Sequence, residues 1–154
     1  MCEYCGCQQI ATIAELTREH DEVVALVGRI QSSLPDRRLE DVAKSCQQIL
    51  AILAPHTVVE EEGLFLEMTD EFPDHIEVLR SEHREIEKVL GEANGGCPDD
   101  PTWPERLLAV LHLLREHILK EQDGVFPAAL IALDADQWER IEAVRTRISL
   151  ATTT

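Results

Sequence analysis

The stretch His117-Ile118-Leu119-Lys120-Glu121 carries a histidine and a glutamate four residues apart, which places both side chains on one face of an α-helix. The same spacing recurs at 56–60 and at 83–87, and one more histidine lies near the start of the chain. The candidate metal ligands in these four segments are His20; His56 and Glu60; His83 and Glu87; and His117 and Glu121. If four helices pack with these faces inward, they enclose four imidazoles and two or three carboxylates, a set that suits two metal ions better than one.

Helix signals place each of these segments on its own helix. Apolar residues recur with helical spacing, Thr12 with Glu15 and Asp134 with Gln137 have capping-box spacing, and no strand-like alternation of any length occurs. Pro55 is expected to bend the second helix just before its histidine. The predicted helices run over about 12–33, 36–69, 74–94, 102–123 (interrupted by Gly124 and Pro127) and 134–149. We therefore predict an all-α protein, an antiparallel up-down four-helix bundle with an additional C-terminal helix.

Composition and charge exclude several classes of function. The 154 residues are enough for one domain with a sizeable core, and the low aromatic content of 4% favours packing of aliphatic helices. Thirty acidic and 14 basic residues give a formal charge of −16, so neither nucleic acid nor an anionic membrane is an expected partner. The chain has no recognisable signal peptide and no apolar run of 18 residues, and we expect a cytoplasmic protein.

The types of ligand favour iron or manganese over zinc. Carboxylates can bridge two metal ions, and Glu60 and Glu121 are the natural bridging candidates because each lies one turn from a histidine. Zinc prefers four tetrahedral ligands, whereas this chain offers six or seven, with Glu87 as the seventh. Ferritin-like bundles instead use Glu-x-x-His pairs. The positions three residues before the four histidines hold no carboxylate here, but Thr17, Leu53, Arg80 and Leu114.

Taken together, these motifs resemble the hemerythrin-like (HHE, cation-binding) domain. The resemblance covers roughly Glu15 to Ala129, and we divide the chain into a cysteine-rich segment, 1–11, and a hemerythrin-like domain, 12–150, that includes the C-terminal helix. It rests on Glu19-His20-Asp21, on residues 56–65, on Ser81-Glu82-His83-Arg84-Glu85, and on residues 116–121 followed by Gly124-Val125-Phe126-Pro127. The resemblance implies two iron ions with an oxo or hydroxo bridge. It also implies that the four histidines are terminal ligands and that the two glutamates bridge.

Two departures from the oxygen-carrying hemerythrins bear on function. Those proteins have a fifth histidine where this chain has Glu87, and a bridging aspartate where it has Gln122, with Glu121 one residue earlier. A carboxylate in place of an imidazole stabilises ferric over ferrous iron, which disfavours reversible oxygen carriage. Three classes of function stay open. They are an enzyme that removes peroxide or nitric oxide, an iron or oxygen sensor acting through a protein partner, and a store or carrier of oxygen or iron.

The N-terminal cysteines form a separate candidate site. Cys2, Cys5 and Cys7 lie close together, and two further cysteines bring the total to an odd number, which is not a disulfide framework. Three thiolates could bind zinc or undergo redox chemistry with a fourth ligand from elsewhere. Incidental reactive thiols are the alternative. The sequence does not indicate an oligomeric state.

Overall fold

The computed structural model describes residues 10–152, and the predicted order of helices is confirmed. Two of the four long helical segments of the bundle, called rods below, contain a π-helical turn, and these turns are called π1 and π2. The elements are α1 (Ile10–Ser33), α2 (Leu39–Val59), π1 (Glu60–Leu64), α3 (Phe65–Met68), α4 (Pro73–Gly91), α5 (Trp103–Lys120), π2 (Glu121–Val125), α6 (Phe126–Ala132) and α7 (Ala135–Thr152). No strand occurs among the residues described, so the all-α prediction is confirmed.

Four helices enclose the interior, and the fifth covers one side. Helix α1 packs against α2 and α5, and α4 packs against α5 and α2, which closes the four-helix ring. The chain passes between neighbours through the segments 34–38, 69–72 and 92–102, so consecutive rods are antiparallel. Helix α7 lies against α1, α2 and π1. No helix within 10–152 is long and apolar enough to span a bilayer.

Of the two helix caps predicted at Asp134 and Thr12, one is confirmed and one is wrong. Asp134 and Gln137 form the predicted reciprocal capping box, in which each backbone N–H donates to the other side chain at 2.9 Å. The predicted cap at Thr12 is wrong, because α1 already begins at Ile10. The Thr12 hydroxyl instead donates to Glu142 of α7 at 3.0 Å. The side chain that the local sequence assigns to a helix start therefore forms its hydrogen bond with the fifth helix instead.

Two apolar clusters fill the bundle, one on each side of the polar residues. The cluster nearer the 34–38 connection contains Ile49, Trp103 and Leu107, all fully buried. The cluster at the opposite end contains Phe65 and Met68 together with Trp138 and Ile141 of α7. Helix α7 thus completes the second cluster and covers that end of the bundle. Pro55 lies inside α2, which continues as a helix to Val59.

Candidate metal centre

Six of the predicted ligands converge between the two apolar clusters. Their potential ligand atoms form two groups, within each of which all atoms lie within 4.8 Å of one another. The groups are His20, His56, Glu60 and Glu121, and His83, His117, Glu60 and Glu121. Both glutamates belong to both groups, and neither has any exposed side-chain surface. This is the arrangement expected for two metal ions that share two carboxylates.

Each glutamate lies between histidines of different groups. Glu60 oxygens lie 2.5 Å from His56 Nε2 and 3.2 Å from His83 Nε2. Glu121 Oε1 lies 3.2 Å from His20 Nε2 and 3.3 Å from His117 Nε2. Every imidazole therefore turns its Nε2 atom toward the shared carboxylates.

Hydrogen bonding leaves the centre of this cluster unsatisfied. All four carboxylate oxygens of Glu60 and Glu121, and Nε2 of His20, are buried without a hydrogen-bond partner among the described residues. A buried carboxylate without hydrogen bonds or a cation lowers the stability of the fold by roughly several kcal/mol. The residues present therefore fit a pair of cations held between the imidazole nitrogens and the carboxylate oxygens. Binding of such ions would contribute directly to folding stability.

The other nitrogen of each imidazole has an acceptor behind it. The Nδ1 atoms of His20, His56, His83 and His117 lie 2.9, 3.0, 2.8 and 3.1 Å from side-chain oxygens of Gln122, Glu19, Glu61 and Glu82, respectively. An N–H donated from Nδ1 leaves the Nε2 lone pair directed at the centre, which is the orientation a metal ligand requires. Lys120 Nζ donates to Glu82 at 2.6 Å and partly balances its charge.

The centre has an internal two-fold repeat, which the sequence analysis missed. Residues 56–65 and 117–126 share the pattern His-x-x-x-Glu-[Glu/Gln]-[Glu/Asp]-Gly-[Leu/Val]-Phe, and a Glu-His pair precedes each on the neighbouring helix. The first half of the repeat is α1 to α3 and the second half is α4 to α6, and each half contacts one histidine of the other, His20 or His83. The ring of Phe126 stacks on His20 with a centroid distance of 5.7 Å, and Phe65 stacks on His83 at 5.6 Å. Aligning the halves places the four acceptors at equivalent positions, Glu19 with Glu82 and Glu61 with Gln122.

The electrostatics of the cluster favour charged histidines in the metal-free chain. Burial alone would lower the histidine pKa values, but the adjacent carboxylates outweigh it and raise the pKa to about 9 for His20 and His83 and to about 10 for His56. The pKa of His117 is raised in the same way. Burial would raise the pKa of Glu60, yet the surrounding histidines, His56 foremost, hold it well below its usual range. Protons thus occupy, without metal, the positions that cations would take.

Glu87 lies at the edge of this centre, not within it. It is exposed and does not belong to either group of converging ligands. It does line a cavity of about 10 Å³, together with the four histidines and apolar residues of the first cluster. That space is about the size needed for one water molecule. Cys2, Cys5 and Cys7 lie outside the residues that the structure describes.

Comparison with known proteins identifies one family. The model of the Hemerythrin HHE cation binding domain matches residues 11–129, which include all six converging ligands. No curated protein and no solved structure matches the chain.

Proposed function

Because the chain belongs to the hemerythrin HHE cation-binding domain family, we propose that it is a non-haem di-iron protein that binds O2, NO or peroxide. The observation that carries the proposal is the pair Glu60 and Glu121. Both are fully buried, both have unpartnered oxygens, and both lie within reach of all four histidines. One iron would be held by His20 and His56, the other by His83 and His117, and the glutamates would bridge them.

The surrounding residues suit a small ligand and a site that oxidises readily. Bound iron supplies redox chemistry and an open coordination position. The cavity beside the histidines admits a molecule of only a few atoms, and apart from Thr57 and Glu87 its other lining residues are apolar. Glu87 places a carboxylate at the same cavity, and an anionic group nearby favours ferric over ferrous iron. We therefore favour removal of peroxide or nitric oxide over reversible carriage of oxygen.

Metal content and the visible spectrum of aerobically purified protein test this proposal. We expect about two irons per chain and a charge-transfer band that hydrogen peroxide perturbs. His56→Ala should lose iron and the band, whereas His112→Ala, a change at an exposed histidine, should keep both. One zinc per chain with no visible band would contradict the di-iron proposal.

Consumption of peroxide separates an enzyme from a binding protein. Catalytic turnover predicts that micromolar protein removes a large excess of peroxide and that the His56→Ala variant does not. Removal of only one equivalent per iron pair would contradict the enzymatic activity while leaving the metal centre in place. The same pair of proteins can be compared with nitric oxide under anaerobic conditions.

A further inference from the structure

Helix α7 occupies a groove on the first half of the bundle, between α1 and the rod formed by α2 and π1. Gly63 lies close to this helix, since a Cβ added there would be 3.4 Å from Ile141 Cγ2. Ion pairs fix the helix on both sides of this contact. They join Arg140 to Glu67, Arg145 to Glu15, and Arg147 to Glu62.

The second half of the bundle has an equivalent groove that no helix of residues 10–152 occupies. Applying the internal repeat, α1 corresponds to α4 with a shift of 63 residues, and α2–π1 to α5–π2 with a shift of 61. The residues that hold α7 then map onto His75, Val78, Leu79, Lys120, Asp123, Gly124 and Ala128. All seven line one cavity of about 650 Å³, whose surface is mainly apolar. No described atom outside the neighbouring turns of its own helix lies within 4 Å of a Cβ added at Gly124, the counterpart of Gly63.

The differences between the two grooves define the helix that fits the empty one. Glu15 and Glu67, which bind arginines of α7, are replaced by Val78 and Ala128. Thr12 and Val59 are replaced by His75 and by Lys120, whose ammonium group already donates to Glu82 at 2.6 Å. The acidic residue Glu62 is retained as Asp123. An occupant equivalent to α7 therefore needs apolar side chains where α7 has Arg140 and Arg145, and a basic side chain where it has Arg147.

We propose that this groove, lined by α4 and by α5–π2, binds an amphipathic helix of a partner protein. The counterpart groove shows that the bundle presents a surface of this shape to a helix, and the substitutions specify a more apolar helix with one basic residue facing Asp123. Val78 is half exposed in the isolated chain and would be covered by such a partner. The proposal concerns protein recognition and does not depend on which metal the centre holds.

A peptide derived from α7 tests the groove on the full chain. The probe is a fluorescently labelled peptide of residues 135–152 carrying Arg140→Leu and Arg145→Leu, and the measurement is fluorescence anisotropy. We expect saturable binding that Val78→Glu weakens at least about tenfold, because the change buries a carboxylate in the apolar wall. Leu108→Glu makes a similar change at an exposed position outside the groove and should leave the affinity unchanged.

A charge exchange tests the position of the basic residue. Replacing the peptide residue Arg147 by Glu should weaken binding, and Asp123→Arg in the protein should restore it. Absence of saturable binding, or equal weakening by Val78→Glu and Leu108→Glu, would overturn the proposal. Sedimentation should also show a monomer. A dimer that Val78→Glu dissociates would mean that the groove is an interface between two copies of this chain.

Discussion

Metal binding should displace protons from the histidines, and the number released can be calculated from the site. His20, His56 and His83 have pKa values of about 9, 10 and 9 in the metal-free chain. At pH 7 a group with a pKa of 9 is protonated in about 99 of 100 molecules, so these residues hold about three protons. The pKa of His117 is raised as well, which brings the expected release to between about three and four protons per chain.

Calorimetry in several buffers measures this number directly. Ferrous iron is titrated anaerobically into metal-free protein in buffers that differ in ionisation enthalpy. The slope of the apparent binding enthalpy against the ionisation enthalpy of the buffer gives the number of protons released. His56→Ala should abolish the binding heat because it loses iron, whereas His112→Ala should leave the slope unchanged because His112 is exposed. Four histidines with ordinary pKa values near 6.5 would release only about one proton at pH 7. A slope near one would therefore refute the argument that the buried carboxylates hold imidazolium groups.

Three further predictions follow from burial and charge. The raised histidine pKa values stabilise the metal-free fold, and this contribution is fully present below pH 6.5. It is lost progressively as the pH rises from 6.5 through about 9 to 10, so the melting temperature of the metal-free protein should fall between these limits. Glu82→Gln should weaken iron binding by about 10- to 100-fold in chelator competition, while Glu85→Gln, at an exposed position on the same helix, should not. Trp138→Ala should lower the free energy of unfolding by about 3 kcal/mol in urea, against under about 0.5 kcal/mol for Ile131→Ala, because Trp138 is buried and Ile131 is 88% exposed.

The convergence of the ligands could be predicted because it depends on local spacing. A histidine and a glutamate four residues apart share a helix face in any well-formed helix, and the apolar pattern places that face inward. The capping box at Asp134 is equally local, since both of its hydrogen bonds form within four residues. Thr12 does not cap because α1 begins before it, and its hydroxyl donates to Glu142, 130 residues away, which no local rule includes.

The acceptors behind the histidines depend on how neighbouring helices align. Glu19 contacts a histidine 37 residues away, and Gln122 contacts one 102 residues away. Their positions depend on the register of neighbouring helices along the bundle axis, and residue spacing within one helix does not determine that register. Glu87 also has the His-x-x-x-Glu spacing, yet it is exposed and reaches only the small cavity beside the histidines, outside both groups of converging side chains.

The π turns explain why the helical period of 3.6 residues fails just beyond the buried glutamates Glu60 and Glu121. A π turn contains an extra residue, so positions five apart, and not four apart, return to the same face. Phe65 and Phe126 each follow a glutamate by five residues and stack on the histidine of the opposite half. Read as α-helix, both stretches would direct Leu64 and Val125 toward the centre instead. Because π turns are frequent at functional sites, a helical stretch whose apolar period shifts after a buried carboxylate is itself an indication of a functional site.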